Sequence, residues 1–172
     1  MNVQDVGGDA VGQSVAGGNV VDITTMQDTK VNNQQFSKSS YIGSQLNANV
    51  NNVSGSVGYV SQAVCNAASV STDPNTTDVY SNQECRSIDP SSTLNASVTN
   101  VSGDASLASS ALGNNFEEDT NAPNAPVETY QINSSAMTST VNANVAGVHG
   151  STSATSAAIG NNAQIVHYGT TN

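Results

Sequence analysis

The segment GSVGYVSQAVCN, Gly55 to Asn66, decides the fold because the chain holds it in four related copies. The others are Gly8 to Asn19 (GDAVGQSVAGGN), Gly103 to Asn114 (GDASLASSALGN) and Gly150 to Asn161 (GSTSATSAAIGN), and successive copies begin 47, 48 and 47 residues apart. Superposed, they share a Gly column (Gly8, Gly55, Gly103, Gly150), a Ser column (Ser14, Ser61, Ser109, Ser156), an Ala column (Ala16, Ala63, Ala111, Ala158) and an Asn column (Asn19, Asn66, Asn114, Asn161). Two Val columns lie just upstream, Val3/Val50/Val98/Val145 and Val6/Val53/Val101/Val148. Self-similarity at a fixed period is the mark of a repeat architecture in which each unit buries its apolar face on its neighbours. The 172 residues therefore form a single repeat domain of four units, approximately 1–45, 46–93, 94–140 and 141–172.

Outward from that segment the pattern is that of strands. Leu46, Ala48 and Val50 alternate with Asn47 and Asn49, and Leu94/Ala96/Val98 and Val141/Ala143/Val145 repeat the alternation, as expected of a strand with one buried face. The two Val columns are three residues apart, so a bend or bulge must separate them. Beyond the Gly column the strand resumes with Ser and Ala on one face, an invariant small pair that predicts close approach of another layer. The position before Asn is Gly18, Cys65, Gly113 or Gly160, and Gly-Asn predicts a turn. If the copies stack, the four Asn form an amide ladder along the stack. The remainder of each unit varies, apart from a recurrent Gln (Gln35, Gln83, Gln131), and reads as loop. Asp73-Pro74-Asn75, Asp89-Pro90 and Ala122-Pro123-Asn124-Ala125-Pro126 punctuate it, since Pro is confined to sheet edges and bulges. The fold expected is an all-β parallel β-solenoid of four coils of about 47 residues, with one turn per repeat or two of about 24, and an antiparallel β-sandwich as the alternative.

Composition excludes several function classes. Three cations (Lys30, Lys38, Arg86) stand against 13 acidic residues, too few to line a nucleic-acid backbone. No apolar run approaches the roughly 20 residues that span a bilayer, so membrane insertion is not expected. The N-terminal MNVQDVGG has no basic or apolar leader segment, and no signal peptide is predicted from it. Catalytic signatures are missing: there is no GxSxG, HExxH or phosphate-cradling glycine loop, and His149 and His167 read as surface residues. The run Glu117-Glu118-Asp119 raises the possibility of Ca2+, which takes several oxygen ligands. A solvated acidic loop is the plainer reading, because the other repeats offer Asp22, Ser69 and Gln164 at the Glu117 position. No cofactor is otherwise implied.

Cys65 and Cys85, the only cysteines, are too few for a zinc site. One disulfide stapling a loop to the scaffold is preferred to two unpaired thiols, and it favours an extracytoplasmic location. Cys65 occupies a column that is otherwise Gly, where a side chain needs a compensating gain.

Ser156-Ala157-Ala158-Ile159-Gly160-Asn161-Asn162-Ala163 resembles the head repeat of trimeric autotransporter adhesins, with echoes at Ala111 to Asn114 and Ala63 to Asn66. The wider texture, a secreted Ser/Thr/Asn/Val-rich repeat with Gly-Asn steps, is similar to the holdfast anchor proteins of stalked bacteria. These resemblances imply a β-solenoid at the cell surface and transfer no functional residue. The function expected is a non-enzymatic structural subunit of an extracellular fibre or adhesin. A glycan- or ice-binding module is the alternative, although the columns of Thr152 and Thr155 are not Thr in the other repeats. The partner expected is a further copy of the chain, head to tail. The first repeat is in register from Val3 and the fourth keeps all six columns, so neither reads as the polar cap a soluble solenoid normally carries. The competing reading is a segment cut from a longer chain.

Overall fold

The computed structural model describes residues 1–72, 77–122 and 125–168. The loop readings at Asp73-Pro74-Asn75 and Pro123-Asn124 lie outside these residues. The first coil contains β1 (Asn2–Val6), β2 (Ala10–Thr25) and β3 (Thr29–Ser37); the second β4 (Gly43–Val53), β5 (Val57–Thr72) and β6 (Thr77–Cys85). The third contains β7 (Ser91–Val101), β8 (Ala105–Thr120) and β9 (Val127–Asn133), and the fourth β10 (Thr138–Val148) and β11 (Thr152–His167). Every strand pairs with its equivalent one coil away, always parallel, giving sheet A (β1-β4-β7-β10), sheet B (β2-β5-β8-β11) and sheet C (β3-β6-β9). The chain is a parallel β-solenoid with one turn per repeat and three sheets per turn. The antiparallel sandwich and the two-turn repeat are both set aside by this pairing.

The bend expected between the Val columns is a left-handed residue in the same place in every coil. Asp5, Asn52, Asn100 and Gly147 have φ of 53°, 58°, 54° and 65°, a conformation that Asn, Asp and Gly tolerate best. It lets Val50 and Val53, three apart, both point inward. The Gly column then turns the chain from sheet A to sheet B. Backbone N–H of Gly55, Gly103 and Gly150 donates to the carbonyl of the preceding Gly at 3.1, 2.9 and 3.2 Å. A Cβ on Gly103 would lie 2.8 Å from the backbone of Gly55, so stacking itself demands glycine there.

Two expectations need correction. The Gly-Asn step is no turn: it lies inside the 16-residue strands of sheet B, and Gly18, Gly113 and Gly160 are not among the residues with positive φ. The inward alternation changes parity there. In β5, Val57, Tyr59, Ser61 and Ala63 are buried before the step, and Asn66, Ala68, Val70 and Thr72 after it. The strand thus bends, its first half covering sheet A and its second half facing sheet C. Second, much of the segment read as loop is strand, since β3, β6 and β9 pair in register as sheet C. Asp89-Pro90 does connect sheets C and A, but Pro90 is buried rather than bulging outward.

The interior divides into apolar lobes. Val50, Val53, Tyr59, Leu94, Val98 and Leu107 pack between sheet A and the first half of sheet B. Val31, Val70, Val79 and Phe116 pack between its second half and sheet C. Ser61, Ala63, Ser109 and Ala111 are buried beside the bend. The column loses that burial at the ends: Ser14 and Ala16 are half-buried, and Ser156 and Ala158 are exposed, because burial is supplied by coils on both sides. Filling the column in a middle coil forces its neighbours apart. Ala111→Leu is expected to destabilise the fold by about 1–3 kcal/mol in chemical denaturation, while Ser110→Leu, on the outer face, stays within about 0.5 kcal/mol of wild type.

Candidate functional site

The repeated polar residues build continuous ladders along the solenoid axis. Asn19 Nδ2 donates to Asn66 Oδ1 at 2.8 Å, Asn66 to Asn114 at 2.8 Å, and Asn114 to Asn161 at 2.7 Å. The Gln column forms a second ladder, with Gln83 donating to Gln35 at 2.7 Å and Gln131 to Gln83 at 2.8 Å. The other amide hydrogens of Gln35, Gln83 and Gln131 reach backbone carbonyls of Ala67, Asn115 and Asn162 at 2.8, 2.9 and 2.8 Å. Gln thereby ties sheet C to sheet B of the next coil. The Ser column meets a second one, Ser44/Ser92/Ser139, that sequence reasoning passed over although its spacing repeats. Their hydroxyls alternate as Ser14, Ser44, Ser61, Ser92, Ser109, Ser139 and Ser156, with successive oxygens 2.8–3.0 Å apart. A buried hydroxyl or amide left alone is costly; stacked on its own kind, each donates once and accepts once.

Cys65 and Cys85 form a disulfide, with Cα atoms 5.9 Å apart. It joins β5 to β6, the place where sheets B and C approach inside the bend. In the neighbouring coils the facing pairs are Gly18 with Ser37 and Gly113 with Asn133, each separated so closely that a glycine Cβ would lie 3.0 Å from the opposing side chain. The tighter limit is the next coil's backbone, since the same Cβ would lie closer still to the Cys65 carbonyl oxygen at Gly18 and to that of Gly160 at Gly113.

The outer surface is segregated by charge. Sheet C and its flanks hold all three cations, and each is engaged: Lys30 pairs with Asp78 at 2.8 Å, Arg86 pairs with Glu84, and Lys38 and Arg86 lie 4.6 and 5.6 Å from the Phe36 ring centroid. By contrast β4, β7 and β10 carry no charged residue. Their triplets 47–49, 95–97 and 142–144 read Asn-Ala-Asn, Asn-Ala-Ser and Asn-Ala-Asn, with Ala48 and Ala96 turned into the core and the flanking Asn and Ser turned outward, and a groove of about 590 Å³ runs across them. One wall is another ladder, Asn95 donating to Asn47 at 2.7 Å and Asn142 to Asn95 at 2.8 Å; Asn49, Ser97 and Asn144 line the other side. A flat Thr array is not built: Thr152 stacks on Ala105 and Thr155 on Ala108.

The acidic run Glu117-Glu118-Asp119 is neither loop nor convergent. It lies in β8, so Glu117 and Asp119 face solvent while Glu118 points inward and is fully buried. Its column is otherwise apolar, Val70 and Ile165 being the stacked neighbours, and neither carboxyl oxygen has a hydrogen-bond partner. Burial first, and the Asp119 charge second, push the carboxyl up to about 7. His149 and His167 are both exposed. Among the described residues no group of three or more His, Cys, Asp or Glu is placed to hold a metal ion, and no helix is long and apolar enough to cross a membrane.

A family model described as holdfast attachment protein D matches residues 3–172. No curated protein and no solved structure matches the chain.

The two buried sites make opposite demands on stability. Replacing both cysteines by Ser should lower the unfolding free energy by about 3 kcal/mol, through lost loop-closure entropy; equal midpoints for wild type and the double variant would contradict this. Glu118 holds its proton in the folded chain at pH values where the unfolded chain has released it. Its contribution is therefore complete below the ordinary glutamate range and is lost as pH rises through about 7. Wild type should lose on the order of 2–3 kcal/mol relative to Glu118→Gln between pH 5 and pH 8, measured as the difference between their urea unfolding curves.

Proposed function

The chain belongs to the holdfast attachment protein D family, and from that premise we propose that it is a non-enzymatic structural subunit of a cell-surface attachment layer, extended by stacking copies end to end. The observation that carries this reading is the state of the outer coils. Along the stack, β1, β2 and β3 have partners on one side only among the described residues, as do β10 and β11, leaving rows of ladder donors and acceptors in reach of another strand. Side chains of columns buried in the middle coils stand exposed there, Ala158 and Asn161 among them. The Asn ladder has a direction, each amide donating toward the fourth coil. An acceptor at one end and a donor at the other suit head-to-tail contact and disfavour head-to-head contact. The disulfide agrees with an oxidising, extracellular setting.

A second role, glycan binding, is favoured by one observation, the uncharged amide-walled groove on sheet A.

Stacking is tested at the exposed column. Wild type should sediment with a mass that rises with concentration and give filaments of one-coil axial repeat. Ala158→Arg, which fills the hollow where the next coil's column would sit while disturbing no buried contact, should remain monomeric with an unchanged melting profile. A wild type that stays monomeric at every concentration would sink the proposal, as would an Ala158→Arg chain that assembles equally well.

A further inference from the structure

We propose that Glu118 is a pH-sensitive latch for the last strand: uncharged, it is shut inside the solenoid, and charged, it leaves through the fourth coil and frees residues 162–167 of β11 from β8. Its column reads Ile23, Val70, Glu118 and Ile165. The side chain points to the same side of β8 as Phe116, into the lobe that Val70, Val79 and Val127 share between sheets B and C. It is fully buried there, and neither carboxyl oxygen has a hydrogen-bond partner. A carboxylate is expelled from such a place, because nothing replaces the water it has lost.

Among the described residues no cation faces it. On its own strand Glu117 and Asp119 turn to solvent, and both are negative. On one side β5 carries no charged residue; on the other, the titratable residue of β11 is His167, exposed and two positions beyond Ile165. Across the lobe, Asp78, Tyr80 and Glu84 of β6 and Glu128 and Tyr130 of β9 alternate with the inward residues and point outward. The ways out differ. Toward the second coil stands Val70, 1% exposed, on a strand paired along both edges by β2 and β8. Toward the fourth stands Ile165, 44% exposed, on a strand that among the described residues is paired along one edge. Beyond the ladder with β8, that segment is tied by Asn162 to Asn115 and Gln131 and by the Tyr168 N–H to the Thr120 carbonyl. Local opening is drawn from such weakly covered edges.

Opening rises with pH over a defined window. With the segment open, the carboxyl titrates as an ordinary glutamate; with it closed, the proton is held up to about 7. Each pH step between those values favours opening, and above about 7 the effect levels off. The segment is also part of the surface on which a further copy would rest. Its release therefore shortens stacks as pH rises, a consequence that rests on the stacking reading, whereas the latch itself does not.

Amide hydrogen exchange of the full chain tests the latch in wild type, Glu118→Gln and Glu118→Val, the last giving this column the residue it has at Val70. Peptides covering 162–167 and β5 are followed at a concentration where sedimentation finds single chains, with rates corrected for the intrinsic effect of pH. Between pH 5 and pH 8, protection of 162–167 should fall at least about tenfold in wild type and stay within about twofold in both variants. It should lie below that of β5 and be insensitive to low urea, as local opening is, while β5 responds to urea through global unfolding. Melting curves report the folding of each variant. Wild-type protection that does not change with pH overturns the latch, and so does an equal fall in both variants. Exchange of 162–167 that tracks β5 in rate and urea response overturns it as well, since the whole chain then opens together. Sedimentation at raised concentration is read separately. Stacks that shorten at pH 8 in wild type and not in Glu118→Val support the consequence for assembly, and stacks of equal length at both pH values overturn it. A chain that stays single throughout removes the stacking reading, while the exchange data still decide the latch.

Discussion

In-register parallel stacking is the constraint on which everything else depends. Each residue's nearest lateral neighbours are its own equivalents 47 or 48 positions away, so a residue type is admissible only if it tolerates itself at strand spacing. Asn and Gln satisfy this by amide pairing, and Ser does so by sharing a hydroxyl chain. Glycine satisfies it where backbones crowd. This explains how a chain with only 36% hydrophobic residues sustains an interior: polar columns supply their own partners, and the apolar lobes need cover only the space between them.

The same constraint governs charge. A column of like charges would place carboxylates about 5 Å apart with no relief, and within the paired strands none does so. Glu117 stacks between Ser69 and Gln164, Asp119 between Ser71 and Val166, and Glu84 between Phe36 and Ile132. Where charged residues do stack across paired strands they are opposite, Lys30 on Asp78. Glu118 obeys the rule in another way, entering an apolar column singly, where burial pushes its carboxyl up to about 7. The low content of charged residues, 9%, is thus a consequence of the architecture.

What was legible in the sequence follows from the same physics. The Gly, Ser, Ala and Asn columns repeat because each touches itself, so period, strand direction and the Asn stacking could be read from one chain. Sheet C was hidden because its inward positions mix types, as in Val31, Asn33, Gln35 and Ser37, and its outward positions vary freely. Two identical columns mark it, Gln35/Gln83/Gln131 and Val31/Val79/Val127, and only the first was followed. The parity change at Cys65 looked like a turn because Gly-Asn serves turns and bends alike; the small residue is needed there for crowding, not for positive φ. The left-handed column at Asp5, Asn52, Asn100 and Gly147 shares a conformation without sharing an identity, and identity was the signal followed. The sheet A groove was invisible for a related reason: Asn47 and Asn49 register in sequence merely as the polar half of an alternation.

From stacking to surface is one further step. If charge is excluded from repeated columns, the faces that repeat most faithfully become the least charged, and sheet A, whose triplets are nearly identical in three coils, is the limiting case. Such a face cannot recognise a partner by ion pairing. It offers periodic hydrogen-bonding groups at a fixed rise, already held in place by their neighbours, so affinity must come from many equivalent weak contacts in register. Each coil added by the stacking proposed above would lengthen the scaffold and extend this uncharged face by one more triplet.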